Sequence, residues 1–166
     1  MLNKKGFTVL EVVISFTFVV VILTSMFVVV INYQNETEKE KIKSSILVFR
    51  DSMLEIIYND IISNNMEKME SCGDKCVQII TSSGTYLLQS GTDTEGNIYL
   101  DYRGTKYTLP DSGNGLSTID NFIYRKDDIN KIYEVKVPIK HAELSNDENK
   151  DLYLQILVSG KEFNKE

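Results

Sequence analysis

The chain has 166 residues, 42% of them hydrophobic, and a formal net charge of −6. This length suits one ordinary domain, and a negative chain without a basic run gives no support for binding to duplex DNA. Positions 12–31 carry no charge, and sixteen of them are Val, Ile, Leu, Phe or Met. Because no second stretch approaches the ~20 apolar residues that a bilayer span needs, the composition excludes a polytopic membrane protein.

The first predicted element is one long helix from Phe7 to about Met69, since neither Pro nor Gly interrupts residues 7–71. Its first half is apolar on all sides, which predicts a surrounding of lipid or of other helices. Ser63, Asn64 and Asn65 offer an earlier end. In the second half, apolar residues step by three or four and predict one buried face: Ile42, Ile46, Phe49, Met53, Ile57 and Ile61, widened by Leu47, Leu54 and Ile62.

Beyond Cys76 the sequence predicts an antiparallel β-sheet. The hydrophobic period drops to two, and Gly, Asp, Asn and Ser separate the runs. Pro110 suits a strand end and Pro138 an edge strand. No low-complexity linker divides helix from sheet, so we expect one α+β domain with the second half of the helix packed on the sheet. The predicted strands are residues 77–81, 85–89, 97–103, 106–109, 122–125, 132–139 and 152–158.

The junction between leader and apolar run is unusual. Lys4 and Lys5 before such a run are typical of a secretory signal peptide or an uncleaved signal anchor. The run is longer than a signal-peptide core, however, and Glu11 lies at its start. A carboxylate at mid-bilayer costs about 2.5–3.5 kcal/mol and usually has a partner. A cut between Gly6 and Phe7 would create an α-amino group one helical turn from Glu11, or within reach of a neighbouring chain's Glu11.

These residues resemble the leader and mature N-terminus of type IV prepilins and pseudopilins, in the segment Lys4-Lys5-Gly6-Phe7-Thr8-Val9-Leu10-Glu11. The resemblance implies cleavage after Gly6 by a prepilin peptidase, N-methylation of Phe7, and pairing of Glu11 with a neighbour's N-terminus during assembly. It also implies a pilin-like fold in three parts. These are a leader of residues 1–6, a transmembrane or filament-core helix of residues 7–31, and an extracytoplasmic domain of residues 32–166.

The same resemblance implies the partners and the location. The partners would be other pilins or pseudopilins, the prepilin peptidase, an inner-membrane assembly platform and, before assembly, lipid. The protein would cross the cell membrane once and reach the cell surface in a filament.

The sequence departs from many pilins at two features. Val20 and Val28 stand where many major pilins have Gly and Pro, and the late cysteine pair of many Gram-negative pilins is missing. These departures favour a minor pilin or pseudopilin.

Two alternatives stay open at this point. One is a membrane-anchored extracytoplasmic domain that binds a surface or substrate and never polymerises. The other is a pseudopilin of a type II secretion or competence DNA-uptake system. No nucleophile, phosphate-loop or metalloprotease motif occurs in the sequence, so we expect neither enzymatic activity nor a cofactor.

Three further features of the sequence are open to a functional interpretation. Cys72 and Cys76 are the only cysteines, and in an oxidising compartment they predict a disulfide at the hinge between helix and sheet, with Gly73 supplying the turn. The single histidine, His141, is expected to be a solvated or core-edge side chain.

The third feature is a pair of oxygen-rich stretches with the alternate spacing of calcium loops. They are Asp93-x-Glu95-x-Asn97 and Asp147-x-Asn149-x-Asp151. Neither has the Gly and terminal Glu of an EF-hand, so solvated turns are favoured over a metal site.

Overall fold

The structure, a computed structural model, describes residues 8–160. A single long helix, α1 (Val9–Ser63), is followed by antiparallel β-sheets, so the predicted α+β class is confirmed. By compactness the chain divides into residues 1–41 and residues 42–166, with helix α1 contributing to both. In the first unit every described residue from 8 to 36 is exposed.

The second unit contains two antiparallel sheets, where the sequence predicted one. The first sheet has five strands in chain order: β1 (Met66–Gly73), β2 (Cys76–Thr81), β3 (Gly84–Thr92), β4 (Ile98–Tyr102) and β5 (Thr105–Thr108). In the second sheet a central strand pairs with all the others. Its members are β6 (Ser117–Ile119), β7 (Ile123–Asp127), the central β8 (Ile132–His141) and β9 (Tyr153–Ser159).

One face of helix α1 completes the core of this unit. Ile46, Met53, Ile57 and Ile61 are buried as the three-four spacing predicted. Alternate residues of the strands face them, as in β8, where inward and outward positions alternate along the strand. The Tyr58 hydroxyl also accepts a hydrogen bond from the Leu157 N–H at 3.1 Å, which protects the edge of β9. Ile62, which was expected to widen the buried face, is wrongly assigned: it is 73% exposed.

The helix ends at Ser63, at the earlier of the two predicted ends, and the prediction of Met69 is wrong. Asn65 has a left-handed backbone with φ of 46°, which breaks the helix, and the Asn64 side chain caps the Asp60 carbonyl at 2.9 Å. Residues from Met66 onward instead form β1, a strand missed because its alternation of apolar and polar residues is irregular. Register shifts in the β1–β2 pairing coincide with that irregularity.

Pro138 lies in the central strand of the second sheet, so its predicted edge position is wrong. The Asp120 N–H donates to the Pro138 carbonyl at 3.1 Å. Asp120 belongs to the segment that connects β6 to β7 along this side of β8. The proline nitrogen faces the same side, where the ladder is interrupted between the two strands. A residue without an N–H is therefore tolerated inside this sheet.

Short elements complete the fold. Strand β6 has three residues and helix α2 (Asn146–Lys150) has five, and neither was predicted because such lengths show no periodicity. Helix α2 begins with a capping box, in which the Ser145 hydroxyl accepts from the Glu148 N–H and the Glu148 carboxylate accepts from the Ser145 N–H. The predicted hairpins around residues 81–84 and 102–105 are both present.

Candidate functional site: the N-terminal helix

The first half of helix α1 presents an exposed apolar surface. Its large apolar side chains are exposed from Val9, at 82%, to Ile31, at 54%. Within residues 8–160 it is the one helix that is long and apolar enough to cross a membrane. An apolar surface of this extent needs lipid or other apolar helices around it, so this helix is consistent with a membrane anchor.

Three hydroxyl groups inside this segment, those of Thr17, Thr24 and Ser25, are satisfied by the helix itself. The Thr17 hydroxyl donates to the Ile14 carbonyl at 2.7 Å, and the Ser25 hydroxyl donates to the Ile22 carbonyl at 2.7 Å. The Thr24 hydroxyl bonds back to the carbonyls of the preceding turn in the same way. These polar groups therefore need no partner when apolar material surrounds the helix.

Glu11 is held at the start of helix α1 by Thr8. The Thr8 N–H and hydroxyl donate to Glu11 Oε2 at 2.9 and 3.0 Å, and the Glu11 N–H donates to the Thr8 hydroxyl oxygen at 3.3 Å. This reciprocal pair is a capping box, and it places the carboxylate beside the positive end of the helix. Within the described residues, Oε1 of Glu11 has no hydrogen-bond donor.

The other predicted processing residues, Lys4, Lys5, Gly6 and Phe7, lie outside the described residues. The relation of Glu11 to the predicted N-terminus of Phe7 therefore stays a prediction. Thr8 is the residue that sequence reasoning overlooked at this end of the chain. The spacing Thr-x-x-Glu before an apolar run is the signal that identifies it.

The predicted disulfide is present between Cys72 and Cys76, with 5.1 Å between their Cα atoms. Its predicted position at the hinge between helix and sheet is wrong. The two cysteines lie at the end of β1 and the start of β2, because the chain enters the sheet at Met66, before the cysteines. The disulfide therefore joins two strands across their turn.

The oxygen-rich stretch at residues 93–97 forms a turn organised by Asp93. Its Oδ1 accepts hydrogen bonds from the N–H groups of Glu95 and Asn97 at 2.9 and 2.8 Å, and its Oδ2 accepts from Asn97 Nδ2 at 3.0 Å. The side-chain bond from Asn97 is the main reason that the pKa of Asp93 lies below its usual value. The carboxylate oxygens thus serve the turn itself.

The second stretch is divided between helix α2 and its end. Asn149 Oδ1 accepts from the His141 N–H at 2.9 Å, and its Nδ2 donates to the carbonyls of His141 and Leu144, at 3.1 Å each. Asp147 pairs with Lys150 at 2.7 Å. Among the described residues, no group of three His, Cys, Asp or Glu side chains is arranged to hold a metal ion.

His141 belongs to the edge of the core, one of its two expected settings, and the solvated alternative is wrong. Its side chain is 1% exposed, and Nδ1 accepts a hydrogen bond from the Glu143 N–H at 3.2 Å. The remaining ring nitrogen, Nε2, is 4.0 Å from a carboxylate oxygen of Asp111. Nε2 has no hydrogen-bond partner within the described residues, so the bond at Nδ1 is the side-chain contact that ties His141 to the turn after β8.

A polar cluster that sequence reasoning missed joins helix α1 to the first sheet. Asp60 Oδ2 accepts from the Tyr102 hydroxyl at 2.8 Å, while its Oδ1 accepts from Arg103 Nη1 at 2.6 Å and from Asn64 Nδ2 at 2.8 Å. The Arg103 guanidinium also lies 4.4 Å from the centre of the Tyr86 ring. A groove of about 500 Å³ opens beside this cluster. The cluster itself has no signal in the sequence, because Asp60 and Tyr102 are 42 residues apart.

No protein-family model matches this chain, and neither the curated proteins nor the solved structures include a match to it.

Proposed function

We propose that this chain is a structural subunit, a minor pilin or pseudopilin, of a filament like the type IV pilus. In this proposal the chain is cleaved after Gly6, methylated at Phe7 and held in the membrane by its apolar helix until it is extracted into the filament. The observation that carries the proposal is a single carboxylate, Glu11, four residues after the segment Lys-Lys-Gly-Phe and at the start of the exposed, charge-free run of residues 12–31.

The exposed apolar helix supports assembly through this element. In lipid its side chains face hydrocarbon, and in a filament they would face equivalent helices from neighbouring subunits. Lipid tails and apolar side chains are similarly apolar. The transfer of the helix from lipid to the filament is therefore driven by close packing and by polar contacts rather than by burial from water. A polar contact at one fixed position along the helix therefore contributes strongly to the axial register between subunits.

Glu11 supplies such a contact. Its Oε2 is engaged by Thr8 of its own chain, whereas Oε1 has no donor within residues 8–160. A charged side chain in an apolar setting is costly, about 2.5–3.5 kcal/mol at mid-bilayer on the insertion scale, until a partner neutralises it. The methylated α-amino group of a neighbouring subunit would provide the positive charge that neutralises Glu11. Subunits out of axial register would lack this ion pair.

Mass spectrometry of the N-terminal peptide, after expression with the cognate prepilin peptidase, tests the processing step. The proposal expects a peptide that begins at Phe7 and carries one added methyl group. A chain that keeps Met1 in the presence of an active peptidase would contradict it. It would favour instead an anchored binding domain that does not polymerise.

The assembly step is tested by filament incorporation of Glu11→Ala. We expect this variant to be cleaved at the normal site but to be strongly depleted from sheared filaments. Glu36→Ala is the matched control, because this exposed carboxylate lies on the same helix beyond the apolar run. Equal incorporation of Glu11→Ala and Glu36→Ala would refute the role of Glu11.

A further inference from the structure

The turn between β1 and β2 connects the two sheets through its own residues. The Phe122 N–H donates to the Asp74 carbonyl at 2.7 Å, and Lys75 Nζ donates to the Ile119 carbonyl at 2.7 Å. Asp74 and Lys75 form the turn, while Ile119 and Phe122 bound the connection from β6 to β7. The tip of one sheet is thereby hydrogen-bonded to a connection in the other.

The disulfide encloses this turn. Gly73 and Cys76 are register partners, so the Cys72–Cys76 bond closes a ring around Asp74 and Lys75. The Lys75 carbonyl also accepts from the Ser90 N–H at 3.0 Å, which fixes the turn against β3. Both residues that reach the second sheet are therefore held inside a covalent loop.

The backbone of this turn is not the one that a two-residue hairpin prefers. Such hairpins favour turns with positive φ at the first central residue or at both, because those turns match the twist of the strands. Here the positive φ, 153°, is at Gly73, and neither Asp74 nor Lys75 has a positive φ. Backbone preference alone thus does not stabilise the turn conformation that presents Asp74 and Lys75 to the second sheet. Contacts outside the turn must stabilise it.

We propose that the Cys72–Cys76 disulfide is a redox-sensitive latch for the joint between the two sheets. In the oxidised chain the closed loop holds Asp74 and Lys75 against the β6–β7 connection, and reduction releases them. This inference is independent of the proposed filament function, because it concerns contacts within residues 42–160 alone. A third contact, from the Tyr124 hydroxyl to the Met69 carbonyl at 2.6 Å, does not involve the loop and stays in place.

The release is an ordinary exchange with a dithiol reductant. A thiolate of the reductant attacks the sulfur of the exposed Cys72, forming a mixed disulfide as the Cys72–Cys76 bond breaks. Cys76 leaves as a thiolate and takes up a proton. The second thiol of the reductant then displaces Cys72, so the reductant leaves as a cyclic disulfide and two electrons have passed to the cysteine pair.

Amide hydrogen exchange on the full chain in detergent micelles, with and without dithiothreitol, tests the latch. We expect reduction to accelerate exchange of the Phe122 amide about tenfold, equivalent to about 1.4 kcal/mol and comparable to one lost hydrogen bond. The amide of Leu88, a fully buried residue of β3, should keep its rate. Unchanged exchange at Phe122, or equal acceleration at Phe122 and Leu88, would overturn the proposal.

Two variants separate the disulfide from the contacts that it supports. The double variant Cys72→Ser, Cys76→Ser should show the fast Phe122 exchange without reductant and no further response to dithiothreitol. Lys75→Met, with the disulfide intact, should also accelerate Phe122 exchange. Lys68→Met is its control, since Lys68 is an exposed lysine of β1 that pairs with Glu70. The same acceleration in Lys68→Met would count against the assigned contact.

Discussion

Asp60 and Tyr102 meet through a hydrogen bond of 2.8 Å that fixes helix α1 to β4. Tyr102 is 2% exposed, and the side chain of Asp60 is 12% exposed, so the bond lies largely out of water. Arg103 and Asn64 engage the other carboxylate oxygen. The cost of removing this carboxylate from water is offset because each of its three donors replaces a hydrogen bond to water.

Tyr102→Phe removes one of these donors and should lower the free energy of unfolding by about 1.5–3 kcal/mol, the range for a hydrogen bond to a charged group. Urea denaturation of the full chain in micelles, followed by far-UV circular dichroism, measures the change. Tyr99→Phe is the matched control on the same strand, because its hydroxyl makes no hydrogen bond within the described residues. A loss in Tyr99→Phe as large as in Tyr102→Phe would contradict the assigned role.

The same tyrosine predicts sensitivity to alkali. Burial, followed by the bond to Asp60, raises the pKa of Tyr102 well above its usual value of 10.0. Since the folded state holds this proton more tightly than the unfolded state, the stabilisation is complete below about pH 10 and is lost as the pH rises further. Unfolding free energies measured from pH 8 to 11 should fall above pH 10, and the fall should be shallower in Tyr102→Phe.

The turn at residues 93–97 allows a direct test of its hydrogen bonds. Asn97→Ala removes the side-chain donor that contributes most to the lowered pKa of Asp93, so that pKa should rise toward its usual value of 3.8. Carboxyl ¹³C NMR titration measures it. Asp127 is the internal control, because its lowered pKa depends chiefly on Asn130 in another turn. An unchanged Asp93 titration in the variant would show that the backbone donors alone set its pKa.

The packing of helix α1 predicts contrasting effects from two substitutions on opposite faces. Met53 is 1% exposed in the core, so Met53→Ala should destabilise the domain by about 2–5 kcal/mol through lost burial and a residual cavity. Val48 is 63% exposed, and Val48→Ala should change the stability by less than about 0.5 kcal/mol. Chemical denaturation of both variants checks the assignment of the buried face, and similar losses would refute it.

The regular part of the fold was predictable because it depends on local periodicity. Four residues of the helical stripe, Ile46, Met53, Ile57 and Ile61, are buried as expected. The alternation in β8 likewise identified a strand with one packed face. Ile62 was misassigned because it follows the buried Ile61 by one position, about 100° further around the helix, and at that position it is 73% exposed.

The irregular part was not predictable from one sequence. The strand β1 has a shifted register, and Pro138 is tolerated only because two short strands leave a gap beside it. The Asp60 cluster depends on residues more than 40 positions apart. Such features follow from which strands become neighbours, and that choice has no local signal.

The sequence by itself determined an apolar N-terminal helix with one carboxylate at its start, an antiparallel β-rich remainder and a cysteine pair close enough to bond. These properties follow from the order of residues along a few turns or strands, so neighbouring positions suffice to specify them. Only the tertiary structure decided that the cysteines join β1 to β2 and that their turn reaches the second sheet. Those contacts exist because the chain brings distant segments together, and the hydrogen bonds that join them depend on that final packing.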